Sequence, residues 1–213
     1  AISINLEELT CCIQLLTGST TTLDGSVDGD VTVDAGGELT LGSAERIADG
    51  SALNVDGILN TNGEETVTSL TATGAINGEG AVNALTYDLN GATVNANLGT
   101  GALTSTGDTD LNGSAAADIV TVADGTLTVD GALTNNTAEV NINNGATLAA
   151  NGTIAAASIS VAEGATLTTG EAERLNDGVA LNADGTVSLG GDETIGDLSG
   201  AATGTINNNG NNL

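Results

Sequence analysis

The sequence predicts an all-β protein, a parallel β-solenoid of about 10–11 coils that begins with a short strand and a helical cap. Three features lead to this fold: a long internal repeat, a turn glycine that recurs in nearly every coil, and alternation of apolar and polar residues between those glycines. We expect a capping segment at 1–22 and the solenoid at 23–213.

The long repeat relates two segments that match without a gap at one constant offset, the first starting at Gly36 and the second at Gly164. Both arginines of the chain, Arg46 and Arg174, fall on one equivalent position. The other coincident pairs are Glu45/Glu173, Asp49/Asp177, Asp56/Asp184, Glu65/Glu193 and Leu70/Leu198. A repeat of this kind is typical of proteins built by stacking similar units.

A shorter period follows the turn glycines. Seven of them precede runs such as DGTLTV and NGATLA: Gly36, Gly57, Gly91, Gly125, Gly145, Gly164 and Gly185. The steps between them are uneven, and each of the two longest divides into two coils of similar length to the others. Glycine and asparagine tolerate the positive φ that a tight corner needs.

The runs between turns alternate with the period of a strand. We therefore expect Leu127, Val129, Val140 and Ile142 to point inward and the intervening threonines and asparagines to point outward. The absence of proline suits a backbone that donates hydrogen bonds to the coils above and below.

One stretch in each long repeat departs from this alternation. Residues 43–50 and their copy predict a short helical turn closed by glycine. We expect structural salt bridges from Arg46 to Asp49 and from Arg174 to Asp177, with a ligand-binding pair of arginines as the alternative.

The two ends differ. Ile2, Ile4 and Leu6 alternate as in a strand, and Leu6, Leu9, Ile13 and Leu16 share one face of a helix that would cap the first coil. No equivalent plug is evident before Leu213, so we expect the last coil to present an open edge on which another chain can stack.

The adjacent cysteines Cys11 and Cys12 do not have the spacing of a redox or zinc motif. Two buried or half-buried thiols, a vicinal disulfide and inter-chain disulfides all fit the pair. We favour the thiols, with inter-chain bonding as a further contribution to assembly.

Composition excludes several classes of function. The net charge is −26, histidine and lysine are absent, and Tyr87 is the single aromatic residue. Nucleic-acid binding requires a basic surface, and imidazole-based catalysis requires histidine. Plentiful carboxylates without lysines or sugar-stacking aromatics do not indicate a glycosidase, so we expect no enzymatic activity. No apolar run is long enough for a membrane helix, and no leader peptide is present, so any signal peptide is expected to have been removed.

The acidic turns suggest calcium as the one candidate cofactor. Asp24, Asp28, Asp30 and Asp34 cluster in DGSVDGDVTVD, but the spacing is not that of an EF-hand loop. Solvated turns explain the cluster equally well, and divalent ions would also screen the charge during assembly.

Ice binding is a further hypothesis, because T-x-T pairs recur at Thr66, Thr71, Thr104, Thr126, Thr166 and Thr203. The spacings between the pairs at Thr66, Thr104, Thr126, Thr166 and Thr203 are uneven. We therefore do not expect the pairs to form one flat ladder.

The motif A-E-R-[IL]-x-D-G-x-A-L-N-x-D-G, followed by G-x-E-T-[VI]-x-x-L, resembles repeats of bacterial autotransporter passengers and haemagglutinin-type adhesins. The resemblance covers 36–70 and 164–198 and implies a secreted, right-handed parallel β-helix at the cell surface, without catalytic residues. We expect a structural subunit that assembles with itself, end to end, into an extracellular filament or matrix. The alternative is an adhesin passenger that binds a surface receptor or an abiotic surface.

Overall fold

The computed structural model describes residues 2–4 and 12–213, with side chains from residue 12 onward. This part of the chain forms a parallel β-solenoid of about eleven coils, as the sequence predicts. Its strands, numbered β1–β29 in chain order, form three sheets along the axis.

Sheet 1 contains twelve strands in parallel order. They are β1 (Ile2–Ile4), β3 (Thr20–Leu23), β5 (Glu38–Leu41), β7 (Ile58–Thr61), β10 (Ala75–Gly78), β13 (Thr93–Val94), β16 (Thr109–Leu111), β19 (Thr126–Val129), β22 (Thr147–Ala150), β25 (Thr166–Thr169), β27 (Thr186–Ser188) and β29 (Thr205–Asn207).

Sheet 2 contains eleven strands, and sheet 3 contains six short ones. Sheet 2 consists of β2 (Ile13–Leu15), β4 (Val31–Val33), β6 (Ala52–Val55), β9 (Ser69–Ala72), β12 (Thr86–Asn90), β15 (Ala102–Thr106), β18 (Ile119–Val122), β21 (Glu139–Ile142), β24 (Ser158–Val161), β26 (Ala180–Ala183) and β28 (Asp197–Ser199). Sheet 3 consists of β8 (Glu65–Thr66), β11 (Ala81–Asn83), β14 (Asn97–Leu98), β17 (Ser114–Ala115), β20 (Ala132–Leu133) and β23 (Thr153–Ile154).

The core is one continuous column of small and branched apolar side chains. Leu127, Val129, Val140 and Ile142 are all buried, which confirms the predicted alternation. Tyr87 is also fully buried, and its hydroxyl accepts from the backbone N–H groups of Ala84 and Gly99 and donates to the carbonyl of Val82. No aromatic platform therefore lies on the surface of the described solenoid.

The turn glycines serve two different purposes. Gly36, Gly91, Gly125, Gly145 and Gly164 have the positive φ that the sequence predicts. Gly57 and Gly185 do not, and a Cβ atom at either position would lie 2.3 Å from a carbonyl oxygen of the preceding coil, that of Gly37 or of Ala162. Such positions need glycine because adjacent coils approach closely there. The local sequence alone does not show whether a glycine is needed for this close approach or for a turn.

The predicted helical elements are wrong wherever the structure describes them. The segment 43–50 is an irregular corner, in which Glu45 has a left-handed φ of 51° and Ile47 forms an isolated bridge with Val27. Its copy places Glu173 at 52°. Ile13 belongs to β2 rather than to a capping helix, while Leu6, Leu9 and the rest of 5–11 lie outside the described residues.

Candidate functional site

The last coil of the solenoid exposes a strand edge. Within the described chain, β29 pairs only with β27. The N–H of Thr205 donates to Gly185, and the carbonyl of Asn207 accepts from Leu189. Because successive residues of a strand point their backbone groups to opposite sides, the N–H and C=O of Ile206 point away from the solenoid, toward any chain added at this end. At the other end, β1, which contains Ile2 and Ile4, has β3 as its one partner among the described strands.

Apolar side chains accompany this edge. Leu198 in β28 is 52% exposed, although its repeat equivalent Leu70 is 0% exposed. Leu70 lies between β6 and β12, with Tyr87 directly above it. Among the described residues, Leu198 has one register partner, Leu181 below it. Leu213 is 41% exposed. The last coil therefore presents to solvent a position that an inner coil buries.

The two repeated glutamates stabilise the irregular corners. One oxygen of Glu65 accepts the N–H of Arg46 at 3.0 Å, and the other accepts the N–H of Ile47. Glu193 accepts the N–H groups of Arg174 and Leu175, both at 3.0 Å. Each carboxylate thus supplies two acceptors to backbone groups of the preceding coil, which a buried corner would otherwise leave unpaired.

Glu65 is fully buried, and burial raises the pKa of its carboxyl group to about 7. The hydrogen bonds from the N–H groups of Arg46 and Ile47 oppose this shift, and the nearby carboxylate of Glu45 adds to it. The Glu65 carboxyl group therefore has a structural role, since both of its oxygens already accept hydrogen bonds from backbone N–H groups.

The arginines do not form the predicted salt bridges to Asp49 and Asp177. The Nε of Arg46 donates to the hydroxyl of Ser43 at 2.8 Å, and the guanidinium of Arg174 pairs with Glu171, three residues earlier. This is the single ion pair within 12–213. In both corners the guanidinium is instead directed toward the residue three positions earlier, Ser43 or Glu171, and away from Asp49 or Asp177.

The acidic cluster is not gathered into a metal site. Asp30 accepts the backbone N–H of Ala52, and Asp34 accepts from the side chain of Gln14. Among the described residues no three carboxylates or thiols are close enough to hold a metal ion, so Asp24, Asp28, Asp30 and Asp34 do not form the predicted calcium site. All four lie within one coil, where Asp24 follows β3, Asp28 and Asp30 precede β4, and Asp34 follows β4, so the strand itself separates them along the chain.

Cys12 is an exposed free thiol, which differs from the buried or half-buried thiol that we favoured. Cys11 and Leu6, also predicted to contribute to assembly, lie outside the described residues. An inter-chain disulfide through this segment therefore stays a prediction.

The threonines form a ladder that the spacing argument missed. Thr126, Thr147, Thr166, Thr186 and Thr205 are direct register partners on five consecutive strands of sheet 1. A second column beside them contains Thr128, Ala149, Thr168, Ser188 and Asn207. Turns of different length absorb the uneven spacing, so the pairs at Thr126 and Thr166 share one column with Thr147 and Thr186, which belong to no T-x-T pair. The T-x-T pairs as a set form no single ladder, as expected.

The remaining T-x-T pairs do lie elsewhere. Thr66 is in sheet 3, and Thr71, Thr104 and Thr106 are in sheet 2. Aligning the chain on its turn glycines, instead of on T-x-T, would have revealed the ladder, because each of the threonines from Thr126 to Thr186 follows such a glycine by one or two positions.

Residues 12–213 therefore form a parallel β-solenoid in which no described strand covers β29 and a polar ladder runs along one face. The described part of the chain contains no helix that could span a membrane. Comparison with protein-family models, with curated proteins and with solved structures found no match.

Proposed function

We propose that this protein is a non-enzymatic structural subunit of an extracellular or cell-surface filament, assembled by end-to-end stacking of solenoids. The observation that carries the proposal is the contrast between Leu198 and its equivalent Leu70, since one further coil above β28 would bury Leu198. Burial of a leucine side chain contributes about 1.5–3 kcal/mol.

The sheet edges supply the matching backbone contacts. All strands of sheet 1 are parallel, with β1 at one end and β29 at the other. A second copy that places its β1 on β29 continues the sheet in the same direction, and the N–H and C=O of Ile206 then gain partners. Unpaired edges of this kind favour strand addition.

Charge controls the association. Each subunit carries −26, so copies repel one another at low ionic strength. Screening shortens the range of this repulsion to about 10 Å at about 0.1 M salt. Assembly should therefore increase with sodium chloride and should persist in a chelator.

Electron microscopy of the purified chain tests the proposal. We expect uniform fibres with an axial repeat of about 50 Å, from about eleven coils at about 4.8 Å each. Isolated short rods at all salt concentrations would contradict filament assembly and would favour the adhesin alternative. A binding assay with surface receptors would then test that alternative.

Ile206→Pro distinguishes edge pairing from other association. Proline removes the N–H that points away from the solenoid and is tolerated on an edge strand. The variant should keep the β-type circular dichroism of the wild type but form no fibres. Ile206→Ala is the matched control, because it also loses the apolar side chain but keeps the N–H, and it should still assemble. Fibres from Ile206→Pro would contradict pairing through β29.

A further inference from the structure

Sheet 1 carries a regular array of hydroxyl and methyl groups over its last five strands. The threonine column at 126, 147, 166, 186 and 205 pairs one to one, with no bulge or slip between neighbouring coils. The second column lies two positions further along each strand. Strand geometry sets the repeat of this array at about 4.8 Å along the axis and about 6.7 Å along the strands.

The array contains no ionisable side chain, although the chain as a whole carries −26. Over the same coils, the outward positions of sheet 2 include Glu139 and Asp197. On sheet 1 the charge lies just outside the array, where Asp110 of β16 is the register partner of Thr128. A charged group keeps a strongly bound hydration shell of its own, whereas a threonine offers one hydroxyl and one methyl group. The array on the last five strands, rather than the whole of sheet 1, is therefore the surface suited to an uncharged, periodic partner.

The strands that carry the array are also anchored in the core by their inward side chains. Leu127, Leu148, Leu167 and Val187 alternate with the threonines and are all fully buried in the core. The outward side chains from Thr126 to Ser188 are half-buried, since each packs against its neighbours in adjacent coils. Threonine is β-branched and has few rotamers, so the hydroxyl and methyl positions are largely set before binding.

We propose that this face binds the surface of ice, by holding water molecules at spacings that match the crystal lattice. Both repeats of the array are close to repeat distances on the prism face of hexagonal ice. The threonine hydroxyls hydrogen-bond to lattice water, and the methyl groups fill the spaces between them. Preorganisation lowers the entropy cost of binding. The face acts in a single copy, so this proposal does not depend on filament formation.

Thermal hysteresis of the purified chain tests this proposal. We expect the wild-type protein to lower the freezing point without changing the melting point and to shape growing ice crystals. Thr166→Lys, at the centre of the column, should reduce the hysteresis at least fivefold. Thr147→Lys provides a second test on the neighbouring coil if the first variant does not fold, as judged by circular dichroism.

Thr121→Lys is the matched control. Thr121 is also a half-buried, outward threonine, but it lies on sheet 2 between Thr104 and Asn141. The Thr121→Lys variant adds the same charge as Thr166→Lys and should keep the thermal hysteresis of the wild type. Absence of hysteresis in the wild type, or equal loss in Thr166→Lys and Thr121→Lys, would overturn the proposal. The wild type could instead self-associate without shaping ice, and Thr166→Lys could abolish that self-association. This result would show that the face binds a second copy of the chain.

Discussion

Glu65 and Glu193 occupy equivalent positions of the long repeat and make the same contact, since each carboxylate accepts two consecutive backbone N–H groups from the preceding coil. The residues before those N–H groups, Glu45 and Glu173, are both left-handed. The long repeat is therefore a repeated corner together with the acceptor that completes it.

Replacing either carboxylate by an amide should destabilise its corner. In Glu65→Gln the amide NH2 group meets a backbone N–H and cannot accept from it, so we expect a loss of about 1–3 kcal/mol in the free energy of unfolding. Glu193→Gln is the matched variant at the equivalent corner. Chemical denaturation of both measures the effect, and unchanged midpoints would show that the corners do not depend on these acceptors.

The cost of Glu65→Gln should depend on pH. The folded protein holds the Glu65 proton more tightly than the unfolded chain does, because burial raises the pKa from 4.5 to about 7. The contribution of Glu65 to stability is thus complete below pH 4.5 and is lost as the pH rises through about 7. Glutamine does not titrate, so the penalty for Glu65→Gln should be larger at pH 5 than at pH 8. A penalty that is constant, or that grows with pH, would contradict a raised pKa.

Stacked glycines should tolerate no side chain. A Cβ atom at Gly152 would lie 1.7 Å from the carbonyl oxygen of Gly131 in the preceding coil. Gly152→Ala must push two coils apart, and we expect a loss of about 3 kcal/mol. Gly50→Ala is the control, because a Cβ atom there meets no atom within 4 Å. Thermal unfolding should separate the two variants clearly, and similar melting temperatures would show that the coils can shift at little cost.

One buried hydroxyl should be dispensable. Ser105 is fully buried between Leu89 and Val122, and its Oγ has no hydrogen-bond partner within the described chain. Ser105→Ala should raise the free energy of unfolding by about 1 kcal/mol.

Thr109→Val provides the comparison for Ser105→Ala. Thr109 is equally buried, but its hydroxyl donates to Thr106 and accepts from the N–H of Gly91. We expect this variant to be destabilised by about 1 kcal/mol, with both changes measured by denaturant titration. Destabilisation of Ser105→Ala to the same extent would indicate that its hydroxyl is paired.

The fold could be predicted because it depends on local, repeated signals. Alternation around Leu127 and Val140 marks the strands, and the turn glycines mark the corners, so the number of coils follows from their spacing. The observed register agrees with that spacing, since Ile58 pairs with Ala75 and each later strand pairs with the strand one coil further on.

The candidate sites were harder to predict from the sequence, because they depend on which residues of neighbouring coils stack on one another. Thr126 and Thr147 follow turns of different length, so their alignment in sheet 1 emerges only once the coils are superposed. The role of Glu65 was missed for the same reason, since its backbone partners belong to the preceding coil. The salt bridges from Arg46 and Arg174 were predicted on a helical spacing that these corners do not have.

The stacking of short coils also determines how the molecule would respond to a pulling force. The backbone hydrogen bonds that join neighbouring strands, such as those between β22 and β25, run along the solenoid axis. Tension applied at the two ends would load all layers equally, because neighbouring strands join them in series, and the weakest layer would yield first. A coil of about 19 residues would then release about 60 Å of chain when it yields. The solenoid would thus lengthen stepwise under load, with intact coils retaining their structure.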